Sequence, residues 1–279
     1  MIPIIPVRGA PLPMSWEGLC VRKPWDYEVT AVVPCVDLVD ELEVCVELLR
    51  LQTNRPYIVV VDTGSEWHHA QRIERLRAAD LEVHQIRSNG VQHPSQLVSV
   101  AMDLAFSLCV TPYLFATHQD CFLRNRNFLK RFVGEMRDGL SVYGYSVTER
   151  WHSKWRQDAF GHTATMFDMA QMRRIGAGWS MIRLADTRGY SRFPEAGSWP
   201  DTETLINEQV REAGLKVKLI CGEKNYERFV DEHVDHCRSL PGAMLYSQEL
   251  FAKQRIACDL AMNEARARIK LWKKENENE

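Results

Sequence analysis

The sequence lacks a long hydrophobic run. Nowhere in its 279 residues do apolar side chains approach the roughly 18–20 consecutive positions that a membrane-spanning helix needs. The first residues, MIPIIPVRGAPLPM, hold too many prolines and too short an apolar stretch for a secretory signal peptide, so we expect a cytoplasmic protein. The sequence also lacks a large excess of either charge, because 35 Lys and Arg against 37 Asp and Glu give a formal net charge of -2. Binding of a nucleic acid would therefore need a local basic patch.

Paired cysteines and glycine-rich phosphate-binding motifs are absent as well. The eight cysteines are scattered and include no CxxC pair, which predicts reduced thiols and argues against a disulfide framework. There is no GxGxxG after the first predicted strand and no GxxxxGK(S/T), so the usual dinucleotide and P-loop phosphate cradles are excluded. The phosphates of any bound nucleotide would have to be held by a metal ion or by side chains.

Apolar runs alternate with amphipathic segments along most of the chain. YIVVVD at 57–62 is typical of a strand buried on both faces. Leu42, Cys45 and Leu49 repeat at helical spacing just before it. The predicted strands are 29–33, which ends before Pro34, then 57–62, 81–86, 113–117 and 141–147. This alternation predicts an α/β fold with right-handed crossovers and a mostly parallel sheet that helices cover on both faces.

The alternation weakens toward both ends of the chain. Residues 1–27 contain five prolines and two tryptophans without periodicity, which predicts an irregular N-terminal arm. Residues 176–200, with four glycines and two prolines, predict a long loop of the kind that often closes over a site. Asp201 is placed to N-cap a helix that reaches about residue 213. The apolar spacing near the end of the chain predicts a long C-terminal helix.

Polar residues follow three of the predicted strands. Asp37 comes after the first, Asp62 ends the second, and His118-Gln119-Asp120 follows the fourth. Ligands of open parallel sheets bind at the carboxyl ends of the strands. A single carboxylate there is most often a helix cap or a turn former, but three at one edge of the sheet favour a ligand site.

Four segments together resemble a known family. They are VCVELLRLQ (44–52), VVVDTGS (59–65), TPYLFATHQDCFLRNRNFL (111–129) and PDTETLINEQVREAGLKVKLI (200–220). In this order they are similar to the first helix, the second strand end, the Asp-x-Asp region and the segment after the acceptor loop of family 2 glycosyltransferases. The resemblance covers roughly 28–220 and implies the GT-A fold.

The resemblance implies a binding site for a nucleoside diphosphate sugar. The implied nucleotide-binding positions are Pro34, Asp37, Asp62 and His118. Asp62 matches the carboxylate that contacts the nucleobase, and His118-Gln119-Asp120 falls on the Asp-x-Asp motif. In that motif the last carboxylate, here Asp120, binds Mn²⁺ or Mg²⁺ at the diphosphate, and the first residue helps to hold the ribose or the metal. An imidazole at the first position suits Mn²⁺ better than Mg²⁺.

The resemblance also implies an inverting transfer with one carboxylate as general base. That base takes the proton of the acceptor hydroxyl while the nucleoside diphosphate leaves. Asp201 matches its position, and Glu203 is the second candidate. Thr63 and His118 depart from the family pattern, each in place of an Asp, which keeps a catalytically weak nucleotide-sugar-binding protein as an alternative. A nucleotidyltransferase is a further alternative, although it usually needs a glycine-rich basic loop after strand one, and that loop is missing.

Two further segments allow more than one interpretation. DEHVDHC at 231–237 contains His233 and His236, which are either solvated or, for His236, a contact to the metal or the diphosphate. Such a late histidine occurs in some members of the resembling superfamily. Residues 150–192 hold eight Lys or Arg, three Asp and three Trp, which favours either a surface for an anionic acceptor or an ordinary solvated face.

We therefore expect a glycosyltransferase, with a UDP-sugar as the first donor to test. The acceptor stays open between a glycan, a small molecule, a protein and a modified nucleic acid. The predicted parts are an arm at 1–27, a GT-A-like domain at 28–222 and a C-terminal helical extension at 223–279 that packs on the domain.

Overall fold

The computed structural model describes residues 24–86, 94–146, 159–190, 202–220, 229–237 and 248–278. The strands in these ranges are β1 (Val29–Cys35), β2 (Tyr57–Asp62), β3 (Leu81–Gln85), β4 (Tyr113–Ala116), β5 (Cys121–Leu123), β6 (Val142–Tyr145), β7 (Thr165–Asp168), β8 (Val217–Ile220), β9 (Phe229–Val230) and β10 (Val234–His236). The α-helices are α1 (Val39–Arg50), α2 (Trp67–Glu74), α3 (Pro94–Leu108), α4 (Phe128–Arg137), α5 (Met169–Arg174), α6 (Met181–Arg188), α7 (Thr204–Glu212) and α8 (Gln248–Asn278).

Seven strands form the central sheet in the order β3-β2-β1-β4-β7-β6-β8. The pairs β3-β2, β2-β1, β1-β4 and β6-β8 are parallel, while β7 runs antiparallel to both β4 and β6. All residues of β1 and β2 are buried, as the continuous apolar runs predict for strands covered on both faces. The predicted mostly parallel α/β sheet is confirmed; the antiparallel strand β7 was not predicted.

Helices cover both faces of the sheet, and each face has its own hydrophobic core. On one face α1, α4 and α8 contribute Leu42, Phe132 and Ala261, which are fully buried. On the other face α3 and α7 contribute Ala105 and Ile206 to a second buried cluster. The sheet therefore presents only its edges and strand ends to ligands.

Strand β1 runs through Pro34 to Cys35, so the prediction that it ends before Pro34 is wrong. Thr63 holds the extra length, because its N–H and its hydroxyl both donate to the Cys35 carbonyl, at 2.9 and 3.0 Å. In the register of the sheet Cys35 lies opposite Asp62. The polar ends of β1 and β2 are therefore level with each other.

A second sheet contains three short antiparallel strands in the order β5-β10-β9. Its register places His236 opposite Cys121 and Val234 opposite Leu123. Strands of two or three residues leave no detectable periodicity, which is why this sheet was not predicted. Its effect is to bring residues 229–237 beside the segment that follows β4.

Helix α6 lies inside the stretch 176–200 that was predicted to be a loop, so that prediction is wrong for this part. The helix begins after Ser180, whose side chain accepts the Arg183 N–H at 3.2 Å, and ends at Gly189, which has a φ of 69°. The left-handed conformation at Gly189 is the usual glycine-terminated helix end. Residues 191–200 lie outside the described residues.

Helix α7 begins later than predicted. Its N-cap position is Glu203, whose side chain makes no capping hydrogen bond, so the prediction that Asp201 caps this helix is wrong. Asp201 itself lies outside the described residues. The later start makes Glu203 the residue directly before α7.

The long C-terminal helix is confirmed as α8. Arg255 on α8 bonds Glu41 on α1, and the Glu41 carboxylate is 2% exposed, so the pair ties the C-terminal helix to the domain. A buried carboxylate needs such a partner. In the ranges that the structure describes, no helix is long and apolar enough to cross a membrane.

Asp103 on α3 gives the first testable prediction. Its carboxylate accepts the Trp179 N–H at 2.7 Å, and burial raises its pKa to about 6, against the opposing effects of Trp179 and Arg183. Because the pKa of Asp103 in the unfolded chain is near 3.8, the free energy of unfolding should fall as pH rises from about 4 to 6. At pH 7 the buried, ionised carboxylate should destabilise the folded state to its full extent. Asp103→Asn keeps an acceptor for Trp179 and should raise the free energy of unfolding at pH 7.5 by about 1–2 kcal/mol, with little gain at pH 4.

Urea unfolding at the two pH values measures this difference. Asp186→Asn, on the exposed surface of α6, serves as the control and should shift stability equally at both. An equal shift for Asp103→Asn would show that Asp103 is not a strained carboxylate.

Candidate metal and donor site

The loops after β1, β2 and β4 meet at one edge of the central sheet. Gln119 joins two of them, because its side chain accepts the Val36 N–H at 2.9 Å and donates to the Val36 carbonyl at 3.0 Å. This buried amide fixes the loop after β4 against the loop after β1. The middle residue of the predicted motif therefore has a structural role that sequence reasoning missed.

Asp37 and Asp62 belong to one hydrogen-bonded arrangement. Asp62 Oδ1 accepts the N–H groups of Gly64 and Ser65, at 3.2 and 2.9 Å, and forms a tight turn around Gly64, which has a φ of 121°. The Asp37 N–H donates to Ser65 Oγ at 2.8 Å, and Asp37 Oδ1 accepts the Glu66 N–H at 2.7 Å. Asp62 is thus a turn former with 2% exposure, the ordinary role for a carboxylate at a strand end.

Backbone strain marks the first of these loops. Asp37 adopts a φ of 54°, a left-handed conformation that non-glycine residues rarely take. Next to it, burial and then the charges of Asp62 and Asp37 raise the pKa of the Cys35 thiol well above its usual range. The Cys35 thiol therefore stays protonated.

His118, Asp120 and His236 form a cluster of metal-binding character. One ligand atom from each residue lies within 4.8 Å of the others. His236 Nε2 is 3.5 Å from Asp120 Oδ1, and the His118 and His236 rings are 5.2 Å apart. The structure thus brings together three residues that the sequence analysis named. His118 and Asp120 belong to the motif after β4, and His236 lies on β10, 118 positions further along the chain than His118.

The small sheet explains how His236 reaches the cluster. β10 pairs with β5, which directly follows Asp120, and the Cys237 N–H donates to the Asp120 carbonyl at 3.0 Å. His236 and His233 are each 5% exposed, so the interpretation of these histidines as solvated is wrong. His233 bonds Arg131 at 2.8 Å and lies outside the cluster.

The thiol of Cys237 does not belong to the cluster. Its sulfur is not among the ligand atoms that lie within 4.8 Å of one another. A hydrogen bond with Cys258 and burial raise the pKa of this thiol far above its ordinary value. The set of donors is therefore two imidazoles and one carboxylate.

These three residues fit a divalent metal. Asp120 is completely buried, and neither of its carboxylate oxygens accepts a hydrogen bond from the described residues. A buried carboxylate in that state is strongly destabilised unless a cation lies close to it. Imidazole nitrogens suit Mn²⁺, Zn²⁺ and similar ions, whereas Mg²⁺ and Ca²⁺ prefer oxygen ligands.

Glu203 lies next to this cluster through His162, a residue that sequence reasoning missed. Glu203 Oε1 bonds His162 Nδ1, and the His162 ring is 4.1 Å from the His118 ring. Burial alone would raise the pKa of Glu203, but the charge and hydrogen bond of His162 hold that pKa below its usual range. No motif surrounds His162 in the sequence, so only the fold reveals it.

Part of the predicted acceptor surface lies outside the residues that the structure describes. Asp201 and residues 147–158, which include Trp151 and Trp155, lie outside the described residues. Of the three tryptophans, Trp179 is described and is fully buried in the second core cluster, where its ring contacts Phe106 and Phe167 edge-on. It is therefore a core residue.

Comparison with known proteins identifies the fold. No protein-family model matches the sequence, and no curated protein matches it. Among solved structures, the chain is similar to the mannosyltransferase PcManGT from Pyrobaculum calidifontis, solved with GDP-Man and Mn²⁺, with a TM-score of 0.51 and 15% identity over 74% of this chain and 59% of that one. It also matches TarS of S. aureus with UDP-GlcNAc, with a TM-score of 0.49 and 12% identity over 74% of this chain and 57% of that one.

The chain spans about six tenths of the length of each of these two proteins. At 15% identity the likeness to the mannosyltransferase concerns the fold. The architecture of this chain agrees with that likeness, since helices flank both faces of the central sheet and a long C-terminal helix follows. The chain therefore has the GT-A-type fold of glycosyltransferases.

Proposed function

We propose that the protein is a glycosyltransferase that moves a sugar from a nucleoside diphosphate sugar to an acceptor hydroxyl with inversion. The observation that carries this proposal is the cluster of His118, Asp120 and His236 at the carboxyl ends of the strands. Ligands of open α/β sheets bind at this edge. The similarity of residues 44–65 and 111–129 to family 2 glycosyltransferases supports the same assignment.

The donor would lie across the loops that follow β1, β2 and β4. Asp37 and Asp62, joined through Ser65, would border the nucleobase together with Pro34. His118, Asp120 and His236 would hold a divalent metal at the diphosphate. When bound, this ion supplies positive charge to the departing nucleoside diphosphate. Its ligands come from both sides of residue 222, so we also propose that the 223–279 extension completes the site of the 28–222 domain.

Asp201 is the proposed general base, and the contacts of Glu203 support that choice. The Glu203 side chain is 7% exposed, and its Oε1 already bonds His162 Nδ1. A general base must reach the proton that it removes, directly or through one water. In the sequence Asp201 precedes α7 by three residues and follows the glycine-rich stretch 176–200, and it matches the base position of the family that the chain resembles.

The donor assay tests the proposed function. The protein is incubated with UDP-glucose, UDP-GlcNAc or GDP-mannose, each with Mn²⁺, with Mg²⁺ or with EDTA, and the released nucleoside diphosphate is measured. Slow release that Mn²⁺ stimulates is expected, because water can take the place of the acceptor hydroxyl when no acceptor is present. Donor-induced thermal stabilisation without release under any condition would instead favour the nucleotide-sugar-binding alternative.

His118 allows a prediction about metal preference. His118→Asp replaces an imidazole by an oxygen ligand, so Mg²⁺-supported donor turnover should rise relative to Mn²⁺-supported turnover. The measurement is the ratio of the two rates in the variant and in the wild type. An unchanged ratio would show that His118 only packs beside the motif.

A further inference from the structure

Three histidine rings and one carboxylate form a continuous series that begins at the metal cluster. The ring of His236 is 5.2 Å from that of His118, and the ring of His118 is 4.1 Å from that of His162. His162 Nδ1 then bonds Glu203 Oε1. The side chains of His162 and Glu203 are 12% and 7% exposed, so this contact is almost dry.

Helix α7 holds His162 from two sides. Asn207 accepts the Phe160 N–H at 3.0 Å and donates to the Phe160 carbonyl at 2.9 Å, which fixes the backbone just before His162. One turn earlier on the same helix, Glu203 bonds the His162 ring. Asn207 also donates to the Glu203 carbonyl at 2.9 Å, so the two contacts belong to one rigid turn.

His162 is placed to support a metal ligand without being one. Its nitrogens are outside the group of three ligand atoms formed by His118, Asp120 and His236. Instead its ring covers the His118 ring, with 38° between the two planes. His118 is only partly buried, whereas the other two ligands are buried, and the His162 ring lies against its ring.

We propose that Glu203 and His162 are positioning residues of the metal centre: Glu203 fixes the His162 ring, and that ring orients His118 toward Asp120 and His236. This inference rests on the metal site of the proposed function. Residues behind the ligands of a metal typically contribute about 10–100-fold to metal affinity. The contribution of Glu203 to transfer would then come through metal binding and not through proton abstraction.

Metal affinity tests this directly, without any turnover. Mn²⁺ binding to the full chain is measured by calorimetry and by the loss of the free Mn²⁺ signal in electron paramagnetic resonance. Glu203→Gln and His162→Asn should each weaken Mn²⁺ binding about 10–100-fold. The double variant should be no weaker than either single variant, because both changes break the same connection.

The control is Glu208→Gln on the same helix. Glu208 is 6% exposed and bonds the Tyr190 hydroxyl at 2.9 Å, so it is a similarly buried carboxylate whose hydrogen bond goes to a different residue. Its Mn²⁺ affinity should equal that of the wild type. Thermal unfolding without metal shows whether each variant is folded. If Glu203→Gln is not folded, His162→Asn provides the same test, because asparagine retains a donor for the Glu203 carboxylate.

The outcomes separate this inference from the proposed function. Mn²⁺ affinities of Glu203→Gln and His162→Asn within twofold of the wild type would overturn it. Wild-type binding of Mn²⁺, weakened in both variants, with no release from any donor would uphold the positioning role and overturn the proposed function. If the wild type binds no Mn²⁺ but releases nucleoside diphosphate from a donor in EDTA, the positioning role is overturned and the proposed transferase function is upheld.

Discussion

Asp120→Asn should reduce Mn²⁺-stimulated release of nucleoside diphosphate by about 10²–10³-fold. The carboxyl group is completely buried and accepts no hydrogen bond within the described residues, so both of its oxygens are available as metal ligands. Asparagine has nearly the same shape but carries no charge. The residual rate should no longer respond to added Mn²⁺, which a titration of the metal at saturating donor measures.

A surface carboxylate provides the control for Asp120→Asn. Asp40 at the start of α1 is exposed and pairs with Arg72 at 2.6 Å, so Asp40→Asn should leave the rate and the metal response unchanged. Retention of a normal Mn²⁺ response in Asp120→Asn would place the metal elsewhere. An equal loss in both variants would indicate a general effect of removing a negative charge.

Asp201→Asn should lower the rate of sugar transfer by about 10²–10⁴-fold, the usual contribution of a general base. The substitution removes the proton acceptor and keeps the size and hydrogen-bonding capacity of the side chain. Donor affinity and Mn²⁺ affinity should stay close to those of the wild type, so the loss should appear in kcat. The measurement is transfer to an identified acceptor, or donor hydrolysis until one is found.

Excess metal distinguishes the roles proposed for Asp201 and Glu203. Because Glu203 would act through metal affinity, raising Mn²⁺ should restore most of the turnover of Glu203→Gln and none of that of Asp201→Asn. Near-normal turnover in Asp201→Asn would show that Asp201 is not the general base. A loss in Glu203→Gln that excess Mn²⁺ does not restore would return the base assignment to Glu203.

The central sheet was predictable because its strands are continuous apolar runs. β2, with all six residues buried, matches the predicted range 57–62, and its neighbour β1 was missed only at its last two residues. Local rules place the end of a strand at a proline, because proline lacks an N–H donor. Here the double hydrogen bond from Thr63 to the Cys35 carbonyl, a contact between the loop after β2 and the end of β1, extends the strand beyond Pro34.

The candidate site was predictable where its residues follow predicted strands. Asp62 and Asp120 were proposed as site residues in this way, because the ends of parallel strands meet at one edge of the sheet. The burial of His236 was not predictable, since it depends on a three-residue strand pairing with β5. The contact between His162 and Glu203 joins residues 41 positions apart and was not predictable, because His162 belongs to no periodic face or motif and nothing in the sequence connects it with Glu203.

Crystals grown with MnCl₂ and a nucleoside diphosphate, with anomalous diffraction recorded at the manganese edge, test the central claim most directly. We expect one strong anomalous peak within coordination distance of His118, Asp120 and His236, with the diphosphate beside it. The same crystals of Asp120→Asn should lack the peak. A diphosphate bound at this edge of the sheet without manganese at these three residues, or a manganese peak at other residues, would contradict the account.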